Sequence, residues 1–145
     1  MRRSDSGSKA DEPGLDGVTS LRVRYGETDA MGWVYYGTYF LYFEVGRTEL
    51  IRAAWRAYRE IEDSGLRLPV VQAHCRYVRG AKYDDVLDIH SRMTLPSAFR
   101  VRFDYAVRRQ ADQELLAEGF TEHCFVSSAG SPVKIPADLR ALVPA

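Results

Sequence analysis

The most regular pattern in the sequence is an alternation of apolar and polar residues between positions 99 and 108. Single charged or small residues separate Phe99, Val101, Phe103, Tyr105 and Val107. Successive side chains on a strand point to opposite faces, so this spacing predicts an antiparallel strand with one covered face and one polar face. Similar but weaker runs predict strands at residues 21–25, 68–78, 86–95 and 115–127. Gly119, inside the last of these, predicts a bulge.

A different spacing runs from Thr38 to Ile61, where apolar residues recur three and four positions apart. The residues on this stripe are Tyr39, Phe43, Gly46, Leu50, Ala53, Ala54, Ala57 and Ile61. Such spacing places them on one face of a long helix. Thr38 is the expected N-cap of that helix, and Ser64–Gly65 is its expected end.

The predicted order is therefore one strand, one long helix and four further strands, which favours an α+β fold with an antiparallel sheet. Residues 1–20 are rich in Ser, Gly, Asp and Lys and poor in apolar residues, so we expect a disordered tail there. Residues 21–145 then form a single domain, with one helical turn expected at residues 137–142.

Composition and charge exclude several classes of protein. The 145 residues suit one domain, and 20 basic against 20 acidic residues give no net charge, which argues against nucleic-acid binding. No apolar run is long enough for a membrane span, and the basic start has no apolar segment behind it, so we expect a cytoplasmic protein. Two cysteines and three isolated histidines have no metal-ligand spacing, and no metal site is expected.

The candidate chemistry lies in the loop between the first strand and the helix, which carries Asp29. The first amides of a helix have no intrahelical partners, and the helix dipole makes this end positive. The amides around Tyr36 and Gly37 are therefore suited to bind a developing oxyanion. A carboxylate beside such amides suits acyl transfer at an activated carbonyl, such as a thioester. The alternative is that Asp29 only caps its loop in an Asx turn.

The stretch from residue 27 to 39 reads ETDAMGWVYYGTY, and with residues 43–49 it resembles the hotdog-fold acyl-CoA thioesterases. The similar branch is that of 4-hydroxybenzoyl-CoA thioesterase and the bacterial short-chain acyl-CoA thioesterases. The resemblance covers residues 20–142, with supporting matches at residues 83–87, 117–123 and 134–136. Two positions depart from the pattern: many relatives have His where Tyr36 stands, and Asn is common where Thr38 stands.

The resemblance implies a long central helix wrapped by an antiparallel sheet, in a homodimer or homotetramer whose site is completed across a subunit interface. It places the catalytic aspartate on Asp29, as nucleophile or general base, and the oxyanion donor on the backbone amide of Tyr36. It implies no metal and no other cofactor, since coenzyme A is part of the substrate.

Two groups of residues are candidates for substrate binding. The first lies beside Asp29 and comprises Gly32, Trp33, Val34 and Tyr35. The second comprises Arg76, Arg79 and Lys82, which cluster near a predicted hairpin turn and suit the phosphates of coenzyme A. Arg108 and Arg109 are alternatives, and ordinary solvated charge is the other interpretation of each.

The predicted function is hydrolysis of an acyl-CoA thioester to a carboxylate and free coenzyme A. The alternatives are a non-catalytic module that binds acyl-CoA, and a thioesterase for acyl groups on a carrier protein. A hydroxyacyl dehydratase would need a histidine near the helix start, and none occurs before His74. Glu44 is a further candidate, since a second branch of these enzymes uses a helix glutamate; pairing with Arg47 is the favoured interpretation.

Overall fold

The computed structural model describes residues 12–143, which form two sheets and three α-helices. The strands are β1 (Leu15–Arg22), β2 (Leu66–Arg67), β3 (Val70–Tyr77), β4 (Val86–Thr94), β5 (Arg100–Arg109), β6 (Leu115–Cys124) and β7 (Val126–Ser127). The helices are α1 (Thr38–Ala54), α2 (Tyr58–Asp63) and α3 (Ala137–Leu142), and a 3₁₀ turn spans Tyr25–Glu27. No helix within residues 12–143 has the length and apolar character needed to cross a membrane.

The main sheet has five antiparallel strands in the order β1-β4-β5-β6-β3, and β2 pairs with β7 in a second, smaller sheet. The long helix α1 packs on the inner face of the main sheet. Phe43 stacks on Tyr105 with ring centroids 4.2 Å apart. A Cβ on Gly46 would lie 2.7 Å from the Ile89 side chain, so this glycine lets the helix approach the strand closely. The α+β architecture expected from the sequence is confirmed.

The expected helix over residues 38–61 is wrong in two respects. First, α1 ends at Ala54, and residues 58–63 form the separate helix α2. At the break Trp55 leaves the helical conformation, with φ −134° and ψ −80°, and its indole nitrogen donates a hydrogen bond to Asp138 Oδ2 at 2.8 Å. Second, the N-cap is Gly37, with no side-chain cap, and Thr38 is the first helical residue. The expected end is confirmed, with Gly65 in the left-handed region at φ +92°.

The first strand also lies elsewhere than predicted. Residues 15–20, expected in the tail, form most of β1, and Tyr25 lies in the 3₁₀ turn. The alternation of apolar and polar residues is weak in this segment because the inward positions include Gly17 and Thr19 rather than large apolar residues. A Cβ on Gly17 would lie 3.1 Å from Leu50, so a larger residue would press on α1. The rest of the expected tail, residues 1–11, lies outside the described residues.

The bulge expected at Gly119 is absent from both pairings of that residue, with Cys75 and with Tyr105. The register shifts of β6 lie elsewhere, between Val70 and Gln72 on β3 and between Val107 and Arg108 on β5. Gly119 instead permits a close approach of strands, because a Cβ there would collide with the carbonyl oxygen of His74.

Candidate active site

The loop that carries Asp29 is a tight hairpin closed by a bridge between Thr28 and Val34. The Asp29 amide donates to the carbonyl oxygen of Trp33 at 2.7 Å, and the Gly32 amide donates to the carbonyl oxygen of Asp29 at 3.0 Å. Gly32 has φ +88°, a conformation that costs other residues strain. Gly32 therefore shapes the turn that presents Asp29.

The carboxylate of Asp29 is anchored through one oxygen. Its Oδ1 accepts hydrogen bonds from the amides of Met31 at 2.9 Å and Trp33 at 3.3 Å, which is the geometry of an Asx turn. Its Oδ2 accepts no hydrogen bond within residues 12–143. The loop-capping interpretation of Asp29 is thus correct for one oxygen, while the other remains available for chemistry.

The backbone amides of Tyr36 and Gly37 lie at the start of α1, as the sequence indicates. The neighbouring amides are used: Tyr35 donates to the Glu27 carbonyl oxygen, and Thr38 donates to the Tyr35 carbonyl oxygen, each at 2.9 Å. The amides of Tyr36 and Gly37 have no acceptor in the part of the chain that the structure describes. They are the donors that an oxyanion would need.

Asp29 and Tyr36 line the same cleft, which has a volume of about 600 Å³. The other lining residues come from the Asp29 loop, the start of α1, the end of β3 and the end of β5. They are Met31, Trp33, Val34, Tyr39, Tyr77, Val78, Arg79, Gly80 and Arg109. The cleft therefore combines a carboxylate, helix-start amides, an apolar wall and two guanidinium groups.

The structure brings five of the predicted site residues to this cleft: Asp29, Trp33, Val34, Tyr36 and Arg79. Gly32 and Tyr35 lie beside it rather than in its wall. The ring of Tyr35 packs on that of Tyr36 at 4.7 Å, and a Cβ on Gly37 would lie 2.9 Å from the Tyr35 ring.

The structure separates the residues of the predicted basic cluster. Arg79 lines the cleft, where its Nε lies 2.6 Å from Glu114 Oε2. Arg76 lies within β3 on the face opposite the cleft residue Tyr77, is paired with Glu118 and does not line the cleft. The exposed Lys82 has no carboxylate partner for its ammonium group within residues 12–143, and its backbone pairs with Trp33.

Of the two alternative arginines, only Arg109 lines the cleft. It forms ion pairs with Asp112 at 2.9 Å and with Glu114 at 3.2 Å. Arg108 instead donates to the carbonyl oxygen of Gln113. Sequence analysis did not assign five of the cleft residues to the site: Met31, Tyr39, Tyr77, Val78 and Gly80. For Tyr77, its position two residues before Arg79 is the signal that could have found it.

The remaining candidates do not enter the cleft. His123 is fully buried, with Nε2 2.8 Å from Thr121 Oγ1 and Nδ1 3.2 Å from the Leu68 carbonyl oxygen. Burial lowers its pKa to about 4, and the positive charge of Arg47 acts in the same direction. The predicted role of His123 as a satisfied strand histidine is confirmed. Arg47 donates to the Tyr105 hydroxyl at 3.5 Å, so the expected pair with Glu44 is wrong.

A long helix wrapped by an antiparallel sheet, with an acidic loop at the helix start, defines a hotdog-fold thioesterase. The chain belongs to the thioesterase-like superfamily, whose family model matches residues 23–143.

Similar proteins agree with this assignment. A putative esterase from Aquifex aeolicus is 36% identical over 118 residues, which cover 81% of this chain and 90% of that protein. A putative acyl-CoA thioesterase from Bacillus subtilis is 28% identical over 114 residues, which cover 79% of this chain and 83% of that protein. The solved structure of DHNA-CoA thioesterase from Staphylococcus aureus matches with a TM-score of 0.83 and 25% identity, over 88% of this chain and 87% of that one. The predicted fold class and the predicted class of enzyme, a thioester hydrolase, are confirmed.

Proposed function

We propose that this thioesterase hydrolyses acyl-CoA thioesters to a carboxylate and free coenzyme A, with Asp29 and the Tyr36 amide at the reacting centre. One observation carries the assignment of residues: Asp29, whose Oδ2 accepts no hydrogen bond within residues 12–143, lines the same cleft as Tyr36, whose amide has no acceptor there. Attack needs a base or nucleophile on one side of the thioester carbonyl, and the resulting oxyanion needs a donor on the other.

Two routes are compatible with this arrangement. As a general base, Asp29 takes a proton from water while the water oxygen bonds to the carbonyl carbon. As a nucleophile, Asp29 Oδ2 bonds to that carbon and expels the thiolate, and water then hydrolyses the resulting anhydride. In both routes the Tyr36 amide stabilises the tetrahedral oxyanion, and the sulfur leaves with its electron pair and is protonated to the thiol.

Different parts of the cleft wall suit different parts of the substrate. Trp33, Val34, Tyr39 and Tyr77 provide apolar surface for the acyl group and the adjoining arm of coenzyme A. Arg79 and Arg109 share Glu114 as a partner, so the phosphates of coenzyme A would compete with a half-buried carboxylate rather than with water alone. Lys82 is available beside Trp33. Arg76, on the other face of the sheet, is not part of this proposed set.

The proposed assembly is a homodimer formed along β3, with a tetramer as the larger alternative. β3 is an edge strand that pairs only with β6 within residues 12–143, and seven of its eight residues are exposed. Val70, Val71 and Tyr77, on β3, and Val78, just after it, are apolar or aromatic residues at least 41% exposed. A long exposed edge of this kind is a template for pairing with another strand. Light scattering coupled to size exclusion tests this assembly.

The decisive experiment is release of free thiol from short, long and aromatic acyl-CoAs and from an acyl carrier protein. Wild type, Asp29→Asn and Asp63→Asn are compared. Asp63 ends α2, is exposed, and has no hydrogen bond or ion pair in the described residues, so its amide variant is the matched control. We expect activity on coenzyme A esters in wild type and Asp63→Asn, and its loss in Asp29→Asn. Turnover of the carrier-protein ester alone would change the substrate class, and saturable binding without turnover would favour a binding module.

A cytoplasmic location stays a prediction from the sequence.

A further inference from the structure

The backbone at the start of α1 is held through the carbonyl groups of two successive peptides. The peptide between Tyr35 and Tyr36 is held by the Thr38 amide, which donates to the Tyr35 carbonyl oxygen at 2.9 Å. The peptide between Tyr36 and Gly37 is held by the Tyr77 hydroxyl, which donates to the Tyr36 carbonyl oxygen at 2.9 Å. These two peptides carry the amides of Tyr36 and Gly37, the proposed oxyanion donors.

Little else fixes the second of these peptides. The Tyr36 side chain is 63% exposed, and the first-turn bond from the Tyr39 amide to the Tyr36 carbonyl oxygen is long, at 3.4 Å. Gly37 has no Cβ to restrict its rotation. The hydrogen bond from Tyr77 is therefore the main restraint on this peptide from outside the loop.

Tyr77 is itself firmly placed. It ends β3 in register with Ala117 of β6, and its ring packs edge-on against the buried Tyr39 at 5.4 Å. Burial raises the pKa of the Tyr77 hydroxyl, and its hydrogen bond with Cys75 raises it further, so the group stays protonated and able to donate at neutral pH.

We propose that Tyr77 is a positioning residue, whose hydroxyl orients and polarises the Tyr36–Gly37 peptide so that the Gly37 amide is preorganised as a second oxyanion donor beside that of Tyr36. A hydrogen bond to a peptide carbonyl strengthens the donor character of the same peptide's N–H. Preorganised donors avoid reorganisation during the reaction, which is why small displacements lower kcat. The role rests on the proposed thioesterase function.

The test is Tyr77→Phe, which removes one oxygen and keeps the ring against Tyr39. Tyr83→Phe is the matched control, since the hydroxyl of this exposed tyrosine makes no hydrogen bond in the described residues. We expect kcat to fall about tenfold in Tyr77→Phe with KM within about twofold of wild type, because the change acts on the transition state. We also expect the amide resonances of Tyr36 and Gly37 to shift in the two-dimensional NMR spectrum. Tyr83→Phe should leave both unchanged.

Each other outcome is decisive. An unchanged kcat in Tyr77→Phe, with Asp29→Asn inactive, would overturn the positioning role and leave the proposed function standing. A rise in KM alone would also overturn the positioning role, because the hydroxyl would then contribute only to substrate binding. A wild-type protein that cleaves no acyl-CoA would overturn the function and this role together.

Discussion

The indole of Trp33 lies directly against the backbone of Gly80, so that a Cβ on this glycine would be 2.8 Å from Trp33 Cγ. This contact joins the Asp29 loop to the segment after β3, and both residues line the cleft. We expect Gly80→Ala to displace the indole and raise KM about fivefold, which corresponds to ~1 kcal/mol of binding free energy. Steady-state kinetics measure this. Gly26→Ala, where nothing lies within 4 Å of the new Cβ, is the control and should keep the wild-type KM.

The two roles of Asp29 can be separated by comparing Asp29→Asn with Asp29→Ala. Asparagine keeps an oxygen for the amides of Met31 and Trp33, whereas alanine leaves both amides without that acceptor. We expect both variants to lose activity by about 10³-fold, since neither supplies a base or nucleophile. Only Asp29→Ala should lower the free energy of unfolding, by about 1 kcal/mol, as measured by urea denaturation. An active Asp29→Asn would refute the catalytic role.

The division of the basic residues predicts opposite results for two substitutions of identical chemistry. Arg79→Gln removes a guanidinium group from the cleft. We expect KM for acyl-CoA to rise about tenfold and kcat to change little, because the substrate loses one charge-assisted hydrogen bond. Arg76→Gln removes the same group from the other face of the sheet and should leave KM unchanged. If both variants raise KM equally, the contribution is general surface charge; repeating the measurement in 0.5 M salt then removes it in both.

Buried His123 predicts an acid-sensitive stability. The folded state holds this imidazole neutral, with its pKa lowered from 6.5 to about 4 by burial. The stabilising contribution is complete above pH 6.5 and is lost as the pH falls towards 4, because only the unfolded chain takes up the proton. We expect the free energy of unfolding to fall by up to about 3 kcal/mol over this interval. His123→Gln should have a lower free energy of unfolding at pH 7, but that free energy should change less between pH 6.5 and pH 4. His74→Gln, at an exposed position, should keep the wild-type slope.

Sequence patterns predicted the parts of this fold in which one face is uniformly apolar. The inward residues of β5 and the stripe on α1 are large and regularly spaced, so their burial follows from the pattern alone. Most of β1 was missed because Gly17 and Thr19 occupy inward positions and contribute little hydrophobic signal. The break after Ala54 was missed because the apolar spacing continues through Ala57 and Ile61, and neither Gly nor Pro marks the end of the helix.

The same distinction applies to the site. Asp29 and Tyr36 were predicted because loop, turn and helix start are local features of one continuous segment. Arg76 and Arg79 are three residues apart, and the sequence shows a cluster, whereas Arg76 lies in β3 with its side chain on the face opposite Tyr77 and Arg79 lies after the strand, in the wall of the cleft. Tyr77 was missed because its contact with the Tyr36 carbonyl oxygen joins elements 41 residues apart.

The buried hydrogen bonds around Thr121 have a single permitted direction. The Leu68 carbonyl oxygen only accepts, so His123 Nδ1 must donate to it, and the neutral ring then accepts at Nε2 from the Thr121 hydroxyl. Thr121 must in turn accept from Tyr105, 2.6 Å away, whose oxygen accepts from Arg47. Four hydrogen bonds therefore point in one direction, with Arg47, Tyr105, Thr121 and His123 as successive donors, and they end at the Leu68 carbonyl oxygen. This order selects one tautomer of the histidine. A proton added at Nε2 would turn the acceptor of the third link into a donor and leave the buried Thr121 hydrogen without an acceptor, so protonation would cost a second buried group its hydrogen bond.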